Sequence, residues 1–150
     1  MRIIASLAEL KTLIGQEVAV SDWTEITQER VNQFAVATGD LQWIHVDVER
    51  ARKESPFGGP VAHGFLTLSL LPKLMADAMS MPDVKMGVNY GLNKVRFPAP
   101  VPVGSRLRAR MTLQTVEDIA GGAQVTWLVT IEREGSDKPV CVAESVSRRY

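Results

Sequence analysis

The chain has 150 residues, zero formal net charge, 45% hydrophobic and 23% charged residues, which fits one globular domain spanning 1–150. With no basic excess, nucleic acid is not an expected partner, and no apolar run approaches the roughly 20 residues that cross a bilayer. The single cysteine, Cys141, excludes an internal disulfide framework, and its apolar run Val140-Cys141-Val142-Ala143 predicts a buried, inert thiol.

The first segment, Met1-Arg2-Ile3-Ile4-Ala5, lacks the long apolar core and cleavage site of a signal peptide, so a cytoplasmic location is expected. Leu7 to Leu13 reads as a short helix. Glu17 to Trp23 alternates like a half-buried strand. Thr27 is a good N-cap, Val31, Phe34, Ala35 and Thr38 then fall on one helical face, and Gly39 marks the stop. Asp40 to Val46 is expected to connect, and Asp47 to cap another short helix that ends near Pro56.

Gly64 to Met79 is the most apolar segment. Its hydrophobic residues surround the helix, which predicts a buried central helix bent at Pro72. Then come four strands, Val84 to Phe97, Ser105 to Val116, Gln124 to Glu132 and Val140 to Arg149, separated by Pro and Gly turns. Arg106, Arg108 and Arg110 alternate with Leu107, Ala109 and Met111, which sets one wet and one buried face. An α+β fold follows, with a five-stranded antiparallel sheet wrapped around a long central helix. Its open edge would be covered in a homodimer.

Asp40 and His45 place a carboxylate and an imidazole just beyond a helix end. Holding one water between them, they could supply the base and proton donor that hydration beside a thioester carbonyl needs. Either could equally be structural, Asp40 as a turn residue and His45 as a satisfied histidine. At His63-Gly64 the first N–H groups of the apolar helix have no internal partner, and a glycine admits a carbonyl close to the backbone. An oxyanion hole and a packing glycine are equally consistent with it. Asn89, Tyr90 and Asn93 interrupt a strand that otherwise reads as buried, so their polar groups need partners, in a site or in nearby backbone. Gly58-Gly59 has no following Gly-Lys-Ser/Thr, so it is no phosphate loop. Two histidines and one scattered cysteine make no metal site, and there is no Gly-x-Ser-x-Gly elbow.

Phe34-Ala35-Val36-Ala37-Thr38-Gly39-Asp40, Ile44-His45-Val46-Asp47, Phe57-Gly58 and Val61-Ala62-His63-Gly64-Phe65-Leu66 together resemble the MaoC-like hydratases. These are the (R)-specific enoyl-CoA hydratases of hot-dog fold, and the branch related to nodulation protein N is the nearest in flavour. Lys94 to Gly104 is similar to that family's next strand and turn. The resemblance covers nearly the whole chain. It implies a hydro-lyase that adds water reversibly to a trans-2-enoyl-CoA to give an (R)-3-hydroxyacyl-CoA. CoA or acyl-carrier thioester would be substrate, no other cofactor would be needed, and the chain would dimerise edge to edge. It implies water activation by Asp40 and His45, Asp40 taking the proton and His45 returning one to the α-carbon, with the division of steps open. Gly64 N–H would receive the thioester oxygen, and His63, Asn89, Asn93, Phe97 and Trp43 join it as substrate-binding candidates. Gln42-Trp43 replaces the family's usual Asn-Pro, and Trp43 could narrow the acyl pocket or anchor the loop. A helix serine of some relatives falls on Pro72. An acyl-CoA thioesterase on this fold and a non-catalytic acyl-CoA-binding module are the alternatives.

Overall fold

Three of the six helix starts in this chain are fixed by side chains that take up orphan N–H groups. The computed structural model describes residues 1–150. After β1 (Arg2–Ile3), Ser6 caps α1 (Leu7–Lys11), accepting from Glu9 N at 3.1 Å. β2 (Glu17–Val20) and the short β3 (Thr24–Glu25) follow. Thr27 then caps α2 (Gln28–Thr38) through Arg30 N at 3.1 Å, and Gly39 ends it at φ 78°, a left-handed turn that a glycine adopts without strain. Each such cap contributes about 1 kcal/mol. The segment expected to connect Asp40 with Val46 contains a further short helix, α3 (Trp43–Val46). Asp47 caps α4 (Val48–Glu54) through Arg50 N at 3.0 Å.

The long apolar segment is two helices, α5 (Gly64–Ser69) and α6 (Leu71–Ala78), with Pro72 in the first turn of α6. Proline has no N–H to continue the ladder and its ring crowds the preceding turn, so the expected bend becomes a break at Leu70. Nor is the segment buried all round. Leu66, Leu71, Leu74, Met75 and Ala78 face the core, while Phe65, Pro72 and Lys73 are exposed. Apolar residues around the helix therefore include a face left open in the single chain.

β4 (Met79–Ser80) pairs in parallel with β1, a small sheet that periodicity did not suggest. The main sheet adds β5 (Gly87–Arg96), β6 (Arg106–Ile119), β7 (Gly122–Arg133) and β8 (Cys141–Arg149), in the order β2-β6-β7-β8-β5. All its pairings are antiparallel, and β3 adds a short sixth strand against β6. Leu107, Ala109, Met111 and Leu113 of β6 point into the core. On the outer face Arg108 reaches Glu132 at 2.8 Å and Arg110 reaches Glu17 at 3.0 Å. Such surface pairs contribute no more than about 1 kcal/mol each, so inward burial holds the sheet together. Cys141 is buried, and its thiol is pushed up to about 11 by desolvation, which leaves it inert.

β5 departs most from expectation. It lies at the far edge beside β8 and is exposed almost throughout. Tyr90 and Asn93 fall where its register with β8 shifts, so the polar interruption of the pattern marks bulges in an edge strand, not amides in a buried one.

Candidate active site

The left-handed turn at Gly39 redirects the chain so that Asp40 leaves the helix and projects toward the start of α5. Asp40 Oδ1 accepts a weak bond from Gln42 N at 3.4 Å, and the side chain is 52% exposed. His45, one turn into α3, is buried. Its Nδ1 lies 2.6 Å from Val61 O. A carbonyl only accepts, so Nδ1 carries the hydrogen and Nε2 keeps a free lone pair. Val61 N donates back to Ile44 O at 3.0 Å, and Gln28 Nε2 donates to His45 O at 2.8 Å. The ring is held by its one bond to Val61 O, and the main chain around it by Val61 N and the Gln28 side chain.

His63, the residue before α5, is buried and stacks on His45 with centroids 3.8 Å apart and planes at 24°. Its Nε2–H donates to Asp40 O at 3.0 Å, and Asp40 Oδ2 is 3.9 Å from the same nitrogen. Phe34 of α2 packs against its other side at 4.9 Å. A carboxylate oxygen of Asp40 and a ring nitrogen of each histidine lie within 4.8 Å of one another. That spacing accommodates one water bonded to more than one of them. The trio has the composition of a metal site, but rings stacked face to face keep their in-plane lone pairs on separate planes and do not converge them on one ion.

Burial is the largest influence on His45 and pulls its pKa below the ordinary value, and His63 lowers it further. The Val61 bond and the Asp40 charge oppose this without reversing it. The imidazole is therefore neutral at neutral pH, with Nε2 ready to accept.

His45 and Gly64 open onto one cavity of about 320 Å³, lined also by Phe57, Thr67 and Phe97. Gly64 is the first residue of α5, so its N–H has no acceptor within the helix. A Cβ on Gly64 would come within 3.1 Å of the Phe97 ring. The glycine therefore serves packing, and its N–H has no backbone acceptor. Asp40 does not line this cavity and reaches it through the histidines.

The remaining candidates are dispersed. Phe97 lines the cavity. Asn89 lines a groove further along α5 and α6, and Asn93 lines neither. Trp43 lies under the Arg50 guanidinium at 4.3 Å and does not line the cavity with His45. Two contributors were not singled out from sequence. The Val61 carbonyl fixes the His45 tautomer, and no side-chain pattern announces a carbonyl. Thr67 is 1% exposed, and its hydroxyl has no partner; a hydroxyl one turn after Gly64 in an apolar run was the signal available.

The sheet wrapped on α5 and α6 is the hot-dog fold, shared with solved structures. The structure matches a monoamine oxidase regulatory protein from Archaeoglobus fulgius (TM-score 0.77, 23% identity, covering 99% of this chain and 96% of that one). It also matches the (R)-hydratase from A. caviae involved in PHA biosynthesis (TM-score 0.72, 22% identity, covering 89% and 94%). Residues 9–134 match the family described as MaoC like domain. The chain is 58% identical to 3-hydroxyacyl-thioester dehydratase Z of Mycobacterium tuberculosis (strain ATCC 25618 / H37Rv) over 149 residues, which cover 99% of this chain and 98% of that one. It is 44% identical to nodulation protein N of Rhizobium leguminosarum bv. viciae over 146 residues, covering 95% and 89%. The chain belongs to the MaoC-like dehydratase family, and it is a hydratase/dehydratase, a lyase.

The placement of Trp43 gives one expected result. Trp43→Ala lowers activity on every acyl length together and lowers the melting temperature, because the ring packs α3 on α4 under Arg50. Turnover over a chain-length series, read with thermal melts, checks it. A profile shifted toward longer chains with an unchanged melting temperature would put Trp43 in the substrate channel.

Proposed function

We propose that the protein hydrates trans-2-enoyl thioesters reversibly to (R)-3-hydroxyacyl thioesters, with Asp40 and His45 as catalytic dyad and Gly64 N–H as oxyanion donor. The observation that carries this reading is His45. It is buried, neutral and locked by Val61 O with Nε2 free, within one water's reach of a carboxylate and in one cavity with an unpartnered helix N–H. A water there donates one hydrogen to Asp40 and the other to His45, which leaves an oxygen lone pair for C3 of the substrate. As the C3–O bond forms, the dyad accepts a proton and the C2=C3 electron pair moves onto the thioester oxygen. Gly64 N–H receives the resulting enolate; one such donor contributes on the order of 3 kcal/mol to the transition state. The dyad then returns the proton to C2 and is regenerated. His63 contributes by position, holding the Asp40 backbone and stacking on His45. Purified protein should consume the enoyl absorbance of CoA thioesters and yield (R)-3-hydroxyacyl-CoA on chiral analysis. An (S) product would contradict the proposed stereochemistry.

A second copy of this chain is the proposed partner at β5, and the cytoplasm the proposed location. One side of β5 is unpaired, and Val88, Tyr90 and Leu92 on it are exposed, an edge that pairing would cover. Sedimentation equilibrium should give a dimer at micromolar concentration, and a stable, active monomer would refute it.

A further inference from the structure

A second recess, of about 330 Å³, lies between α6, β5 and β8 and shares no lining residue with the cavity around His45. A groove over Leu68, Leu71, Pro72, Asn89 and Leu92 lies between them. The groove shares Leu71, Pro72, Asn89 and Ser145 with the recess, and its Leu68 follows Thr67 of the catalytic cavity. Gly64 and Thr67 belong to the catalytic cavity, Leu68 and Leu71 to the groove, Met75 and Met79 to the recess. β5 follows the same course in the opposite sense, and α5 and α6, broken at Leu70, together advance at most about 20 Å from Gly64 to Ala78.

The recess has adaptable apolar walls in Met75, Met79, Met81 and Met86. Its sheet side is polar. Ser145, Ser147 and Arg149 alternate along β8 on the inner face, opposite Trp127 and Val125 of β7. Trp127 Nε1 and Ser147 Oγ are buried without a hydrogen-bond partner. Arg149 has no carboxylate partner, unlike Arg108 and Arg110 on the outer face. It crosses β5 at Gly87, where a Cβ would collide with its guanidinium. Lys85 adds a second positive charge, and no Asp or Glu lines the space. Burial lowers the pKa of Arg149, the mark of a charge that water solvates poorly. Buried polar groups without partners are uncommon enough to need an explanation. Unspent donors and an unpaired guanidinium at the end of an apolar track suit a carboxylate carried on a hydrocarbon chain.

We propose that this recess receives the far end of the acyl chain and selects thioesters whose chain ends in a carboxylate, with Arg149 as the specificity residue and Ser147 and Trp127 as supporting donors. This rests on the assignment of the thioester to Gly64. The test compares trans-2-enoyl-CoAs of equal length ending in methyl or carboxylate, over a length series, in wild type, Arg149→Met and Arg149→Lys. The saturated analogues are measured in parallel by equilibrium binding. In wild type, the carboxylated partner should be favoured about tenfold or more once the chain is long enough to reach Arg149. Arg149→Met should collapse that ratio in both kcat/KM and affinity, and Arg149→Lys should keep part of it. Methyl-ended chains favoured at every length would overturn the proposal, as would a carboxylate preference that survives Arg149→Met. Binding decides the point even without turnover, so failure of the hydratase assignment stays distinct from failure of this one. Thermal melts of the variants separate lost selectivity from lost fold.

Discussion

Asp40→Asn should abolish hydration while leaving the fold intact. The side chain is half exposed, and its one side-chain hydrogen bond is the weak contact from Gln42 N, which an amide oxygen also accepts. Its tie to His63 runs through the backbone carbonyl, which the substitution keeps. The expected stability change is within about 0.5 kcal/mol, as for surface positions without special contacts. The chemical change is far larger, because an amide cannot take a proton from water. Loss of a positioned base costs on the order of 10²- to 10⁴-fold in rate. Turnover of an enoyl-CoA, with a melting curve of the same preparation, reads both quantities. Near-wild-type turnover would make Asp40 a turn residue.

His45→Gln should lower kcat by a comparable factor with little change in KM, because Nε2 acts on the water and not on the CoA. A defect confined to KM would move His45 to binding. Its pH behaviour adds a second signature. Burial holds the folded pKa below the ordinary 6.5 of a free imidazole. Wild-type activity should therefore hold as pH falls through that value and decline only below it. Stability follows the same group. Its contribution is fully present above the unfolded pKa and is lost as pH falls toward the folded one, where the unfolded imidazole binds a proton that the folded one refuses. Denaturant titrations between neutral and mildly acid pH should show that slope in wild type and lose it in His45→Gln.

Local chemistry was the legible part of this chain. Thr27, Gly39 and Asp47 fix helix ends through their own side chains or φ angle, and the alternation of arginines with apolar residues in β6 fixes its two faces. Asp40, His45, His63 and Gly64 stood out as unusual polar or flexible residues bordering apolar runs, and the structure brings them together. Non-local pairing was not legible. Nothing in the pattern of β5 says that it crosses to the far edge beside β8, because an exposed edge strand carrying apolar residues reads like a core strand. The apolar face of α5 and α6 carries the same ambiguity. Stacking of His63 on His45 depends on the backbone bond from Val61 N to Ile44 O and on the ring bond from His45 Nδ1 to Val61 O, and no side-chain pattern announces that Val61 is the partner. Trp43 shows the limit for a single bulky residue: its place in the sequence allowed either a channel or an anchor, and only Arg50 above its ring distinguishes them.

The most direct test of hydration by the dyad is turnover of a trans-2-enoyl-CoA in ¹⁸O-labelled D₂O, with mass analysis of the intact thioester. Hydration places ¹⁸O on C3 and deuterium on C2, releases no free thiol, and loses both labels in Asp40→Asn. Label in a free carboxylate with stoichiometric thiol release would show thioester hydrolysis instead, and bound but unlabelled substrate would show a binding module.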